Sequence, residues 1–202
     1  MTSTSFLYAY HGGRRWEGGG GEIRPCRPGR YECGPGIYLT NAYSTAQKYA
    51  KGGGVVQMVA IPADVNWLED ALISLAEAEA FVSGRARMKN RDRVIEDLRR
   101  VADRRPAADG MLPAEVLRNL SVNHDTLGAD HGPALAAWFA DRGIQASLNR
   151  QNGQEDWLVI FEPRIMVASV LQPGDVDHSN PDLPPIREQL ADIRRPIARP
   201  RP

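Results

Sequence analysis

The first apolar run of the chain ends in a histidine and then sheds its side chains: Phe6-Leu7-Tyr8-Ala9-Tyr10 leads into His11, Gly12 and Gly13. An imidazole at a strand end can hold a polar ligand while bare backbone closes on the rest of it. The same glycines serve equally well in a turn that needs positive φ. Tyr38 and Tyr49 carry aromatic rings that either stack on a planar ligand or fill a core. A third group is acidic: Gln154, Glu155 and Asp156 precede the apolar run Trp157 to Phe161. Successive residues of a strand face opposite ways, so only one of Glu155 and Asp156 can enter a given cleft.

Other polar groups carry less. His124-Asp125 and Asp130-His131 lack the spacing of a helical ligand pair or of a cysteine-histidine site, and read as loop and cap residues. The glycine run before Glu22 has neither the GxxxxGK[ST] nor the post-strand GxGxxG spacing of a phosphate loop, and reads as a lip over a ligand. Cys26 and Cys33 are too few for a four-cysteine zinc site and are expected to be free thiols.

The elements that must position these residues follow from periodicity. Strands are expected at 6–10, 37–39, 55–61 (ended by Pro62), 144–148, at the run Asp156–Phe161, and within 165–171. A short helix capped by Asn41 or Ser44 should run to about Ala50 and stop at Gly52–Gly54. From about Val65 to Leu120 apolar residues recur at three and four spacing, the pattern of amphipathic helices, and a further short helix occupies 132–143. Beyond Pro173 the chain is rich in proline and arginine and is expected to be a flexible extension. Strands on both sides of a helical middle argue for an α+β domain rather than a doubly wound parallel sheet.

The chain has 202 residues, 25 of them basic and 25 acidic, for zero formal net charge, so nothing global demands a nucleic acid or an anionic membrane. No apolar stretch approaches a membrane span, and no signal peptide is visible at the N-terminus. A cytoplasmic protein, or one delivered to a target cell, is the expectation.

Taken together, His11-Gly12 after the first strand, Gly36-Ile37-Tyr38 with Tyr49 beyond, and an acidic start to the strand at 156 resemble the ADP-ribosyltransferase family, in the branch with a His-Tyr-acid triad. That family includes the poly-ADP-ribose polymerases, diphtheria-type toxins and rifamycin-modifying enzymes. The resemblance covers about residues 6–61 and 144–171. It implies a split β-sandwich holding NAD between two small sheets, over residues 1–172, with residues 65–143 as a helical insertion and 173–202 as the tail.

The resemblance also assigns roles. His11 would hold the adenosine-side ribose, Gly12 the nicotinamide carboxamide, and Tyr38 and Tyr49 would sandwich the nicotinamide, with Ser44 or Thr45 offering a hydroxyl. An ungapped match puts Asp156 at the catalytic place, where it would stabilise the ribosyl cation, and Gln154 where acceptor choice is made. Glu155, and Glu69 or Asp70 in the early WLED segment, are the alternative acids. The implied activity is mono-ADP-ribosylation with NAD as co-substrate and no metal, as in a bacterial or phage toxin or effector. The acceptor stays open among protein, nucleic acid and small molecule. The alternatives are an NAD glycohydrolase and a catalytically inactive binding module of the same fold.

Overall fold

Alternation along the first strand sets the architecture: Leu7 and Ala9 are buried on one face of a sheet and Tyr10 on the other. The structure, a computed structural model, describes residues 5–16, 21–25, 29, 31–104, 110–151 and 153–195. Cys26, Gly18–Gly20 and residues 196–202 lie outside that set, and Cys33 is a free, half-buried thiol.

The chain is α+β. In order it forms β1 (Phe6–Gly13), β2 (Ile37–Thr40), α1 (Tyr43–Tyr49), β3 (Val55–Pro62), β4 (Leu72–Ser74), α2 (Leu75–Ser83), α3 (Arg91–Arg104), β5 (Met111–Pro113), α4 (Ala114–Asn123), α5 (His131–Ala140), β6 (Ala146–Arg150), β7 (Asp156–Ile160), β8 (Val167–Val170) and α6 (Ile186–Arg194). Six strands make one sheet in the order β6-β7-β2-β1-β3-β8, and each neighbouring pair is antiparallel.

Both faces are covered. Leu7, Ala9, Leu39, Val59, Leu158 and Ile160 form one core with Ile186 and Leu190 of α6. The opposite face carries Tyr10 and Val56 against Ala46 of α1, and Val159 against the segment between β3 and β6, whose Leu117, Leu135 and Phe139 are fully enclosed. Phe139 meets Phe161 with ring centroids 5.0 Å apart.

Several expectations change. β1 continues past Tyr10 through Gly13, and Ala42, not Asn41 or Ser44, stands at the N-cap of α1. The helical stretch expected from Val65 is interrupted by a two-stranded ribbon, because Leu72–Ser74 pairs with Met111–Pro113 and the Ser74 hydroxyl then caps α2 at the Glu77 N–H. The expected flexible extension beyond Pro173 is instead folded through residue 195. Ile186 and Leu190, four apart on α6, seal the sheet face that β1, β2 and β7 would otherwise leave wet.

Candidate functional site

The sheet is weakest between β1 and β2. The β1–β3 ladder runs from Phe6–Pro62 to Gly13–Val55, and the β2–β7 ladder from Ile37–Ile160 to Thr40–Trp157. These two halves share one register pair, Tyr10 opposite Thr40. Past that point the strands splay, and a cleft of about 480 Å³ opens. That size suits a small-molecule or cofactor site. His11, Gly12, Tyr38, Thr45 and Tyr49 all line it, so most of the residues singled out from the sequence meet in one place.

The His11 ring crosses the splay, its Nδ1 lying 2.9 Å from the main-chain oxygen of Tyr38. A carbonyl only accepts, so Nδ1 carries the proton and Nε2 keeps a lone pair. Burial lowers the His11 pKa, opposed in part by that hydrogen bond, which favours neutral imidazole at neutral pH. Trp16 stacks on the ring at 4.4 Å and 31°, and the Trp16 main-chain N–H donates to Gln57 Oε1 at 3.2 Å. Gly13 is small for a plain reason: a Cβ there would sit 2.7 Å from His11 Nε2.

Gly12 has a different explanation from the one the sequence suggested. A Cβ at Gly12 would lie 1.6 Å from the carbonyl oxygen of Ala46, so what closes on this backbone is α1 itself. The close packing of α1 on β1 turns Thr45 and Tyr49, one helical turn apart, toward the cleft, and leaves Ser44 exposed outside it. Tyr49 is 63% exposed at the rim.

Tyr38 forms a wall. Its hydroxyl donates to the Gly34 carbonyl at 2.7 Å and accepts from the Cys33 N–H at 3.0 Å, anchoring the loop ahead of β2. Burial raises its pKa well above that of a free phenol. Its ring meets Trp157 edge-on at 5.8 Å.

The two adjacent acids part company. Glu155 Oε1 accepts from the Thr40 hydroxyl at 2.9 Å and from the Trp157 indole N–H at 2.7 Å, and both of those residues line the cleft. Asp156 points to the other face. It is 1% exposed, lies 2.7 Å from the Arg187 guanidinium, and accepts the Arg187 main-chain N–H at 3.1 Å. Asp156 therefore lies outside the cleft, where it fastens α6 to the start of β7. Asn41 completes this joint, accepting the Asp156 N–H at 2.7 Å and donating to the Gln154 and Leu183 carbonyls. The Gln154 side chain is exposed in the β6–β7 turn.

The remaining sites named from sequence lie elsewhere. Glu69 accepts the Ser147 hydroxyl at 2.6 Å and the Leu148 N–H at 3.2 Å, tying the turn before β4 to β6. Asp70 borders a second hollow of about 890 Å³, which reaches none of His11, Tyr38 and Glu155. His124 pairs with Asp97, and Asp125 accepts the Gly29 N–H. Asp130 and His131 meet Arg85, through a main-chain oxygen and a ring nitrogen respectively. Among the described residues no three metal-ligating side chains converge.

Sequence reasoning missed Arg14, Arg15, Trp16, Thr40 and Trp157 as cleft residues. Strand alternation held the signal for two of them, since Thr40 and Trp157 lie two residues from Tyr38 and Glu155.

No family model matches the chain, and no curated protein matches it in sequence. Among solved structures, the crystal structure of an anti-CRISPR protein is similar over 82% of this chain and 96% of its own, at 15% identity and a TM-score of 0.36. A likeness at that level carries no argument about fold or activity. No helix among the described residues is long and apolar enough to cross a membrane.

Proposed function

We propose that the cleft binds NAD and that the protein is an NAD-dependent mono-ADP-ribosyltransferase built on an ADP-ribosyltransferase-like split sheet. The observation that supports this is the splay at Tyr10–Thr40, which gathers His11, Tyr38 and Tyr49 around one cleft, with the Glu155 carboxylate just behind its lining, bonded to Thr40 and Trp157. In this reading His11 Nε2 accepts a hydrogen bond from a ribose hydroxyl, and Tyr38 and Tyr49 flank the nicotinamide. Nicotinamide leaves with the electron pair of its bond to the ribose. Glu155 stabilises the cationic sugar that develops, and an acceptor nucleophile then bonds to the anomeric carbon and releases its proton. Glu155 takes the role the sequence gave to Asp156, because Asp156 is committed to Arg187 on the opposite face.

Titration calorimetry with NAD and a nicotinamide-release assay test the reading, with labelled NAD in a cell lysate to find the acceptor. Binding, release and a labelled product are expected; failure to bind NAD overturns it. Release without any labelled product would make the protein an NAD glycohydrolase. Binding without release would make it a recognition module, a reading favoured by the two protein donors that already occupy Glu155 Oε1.

A further inference from the structure

The cleft carries two cations that no mechanism step above uses. Arg14 and Arg15 follow β1 directly, both line the cleft, and neither makes an ion pair or side-chain hydrogen bond among the described residues. The other charged cleft residues are differently placed. Arg24 is held 3.2 Å from Glu22, so those two largely cancel. Glu32 adjoins the loop that Tyr38 anchors, and its charge bears on both Cys33 and the Tyr38 phenol. Glu155 stands behind Thr40 and Trp157 in the wall beside Tyr38. The cleft is therefore bipolar, with free guanidinium groups beyond His11 and carboxylates on the Tyr38 side.

We infer that Arg14 and Arg15 form the subsite for the diphosphate of the dinucleotide. This inference rests on the NAD reading and gives that ligand a direction. The diphosphate lies against the end of β1, and the pyridinium and its ribose lie toward Tyr38, Glu32 and Glu155. Guanidinium groups present paired N–H donors that match phosphate oxygens, and both arginines are exposed at the cleft, where a ligand reaches them and salt screens them. Trp16 supports the placement. Its ring lies on His11 and its main-chain N–H donates to Gln57 Oε1, so the segment bearing both arginines is pinned beside the imidazole.

The test compares the full-length protein with Arg14→Gln, Arg15→Gln and the double variant. The readouts are calorimetry with NAD, ADP-ribose and nicotinamide riboside, and displacement of NAD by inorganic pyrophosphate. Arg91→Gln, remote on α3, is the control, and melting curves establish folding. Each single variant should weaken NAD and ADP-ribose about tenfold, the scale of one lost charge-assisted hydrogen bond. The double variant should lose pyrophosphate displacement and most of the salt dependence of NAD binding, with nicotinamide riboside unaffected. Unchanged NAD affinity in the folded double variant overturns the subsite while leaving the NAD reading intact. Equal losses for NAD and nicotinamide riboside also overturn it, since the arginines would then be shaping the cleft. Failure of the unmodified protein to bind NAD removes both readings.

Discussion

Glu155 and Asp156 are neighbours in sequence but serve opposite faces of the sheet: Glu155 bonds Thr40 and Trp157 beside the cleft, while Asp156 is buried against Arg187 of α6. Their substitutions should therefore separate chemistry from stability. Glu155→Gln should reduce nicotinamide release by about a hundredfold or more with little change in NAD affinity, because the lost charge matters chiefly as the cation develops. Asp156→Asn should leave turnover per folded molecule largely intact and cost about 2 kcal/mol, the loss of a charged acceptor from a partly exposed arginine, which lowers Tm by roughly 4–8 °C. Reversal of that pattern would place the working carboxylate on the α6 side.

Gly12 tests the packing that builds the cleft floor. With the nearest α1 carbonyl 1.6 Å from any Cβ, Gly12→Ala must push α1 away from β1, and should cost about 3 kcal/mol or more. Gly174, where an added Cβ meets nothing within 4 Å, is the control, and its alanine variant should stay within about 0.5 kcal/mol of the parent. Urea unfolding monitored by circular dichroism measures both. An unperturbed Gly12→Ala would mean that α1 is not seated as described.

What the sequence made legible was what local pattern determines. The aromatic and apolar run Phe6 to Tyr10 marked β1, although Gly12 and Gly13 continue that strand rather than end it, and the glycines around 53 separated α1 from β3. His11, Tyr38, Thr45 and Tyr49 could be brought together because their types and order suit one task. The expected placement of Asp156 in the cleft failed for a long-range reason. Strand alternation says that Glu155 and Asp156 differ in face, but which face is which depends on Arg187, far along the chain. The segment after Pro173 was obscured in the same way. A nine-residue helix between prolines has little intrinsic stability, and its two buried side chains acquire meaning only from the sheet they cover. The ribbon of β4 and β5 likewise pairs residues on either side of two helices, which no local window records.

The C-terminal segment should accordingly be indispensable. Removing residues 181–202 strips Ile186 and Leu190 from the core and deprives Asn41, Tyr10 and Asp156 of their partners at Leu183, Pro181 and Arg187. Burial of the two aliphatic side chains alone is worth about 3–6 kcal/mol. The truncated chain should melt far below the full-length protein or fail to fold, as read by calorimetry. An unchanged melting temperature would show that α6 does not dock.

The pH dependence of ligand binding should report on His11. Burial holds its pKa below the ordinary 6.5, so the folded protein keeps a neutral ring at pH values where the unfolded chain has begun to protonate. The stability linked to this group is complete above pH 6.5 and declines as pH falls toward the folded-state pKa. Binding follows the folded pKa. Neutral imidazole with its proton fixed on Nδ1 by the Tyr38 carbonyl offers Nε2 as an acceptor, whereas the protonated ring offers none. NAD affinity measured from about pH 8 to about pH 5 should stay flat to below 6.5 and then fall about tenfold per pH unit once the ring is charged. His11→Gln should bind NAD more weakly at neutral pH and lose that acid limb, since an amide does not titrate there. If His11→Gln keeps the same acid limb, another group titrates in the cleft and the ribose contact belongs elsewhere.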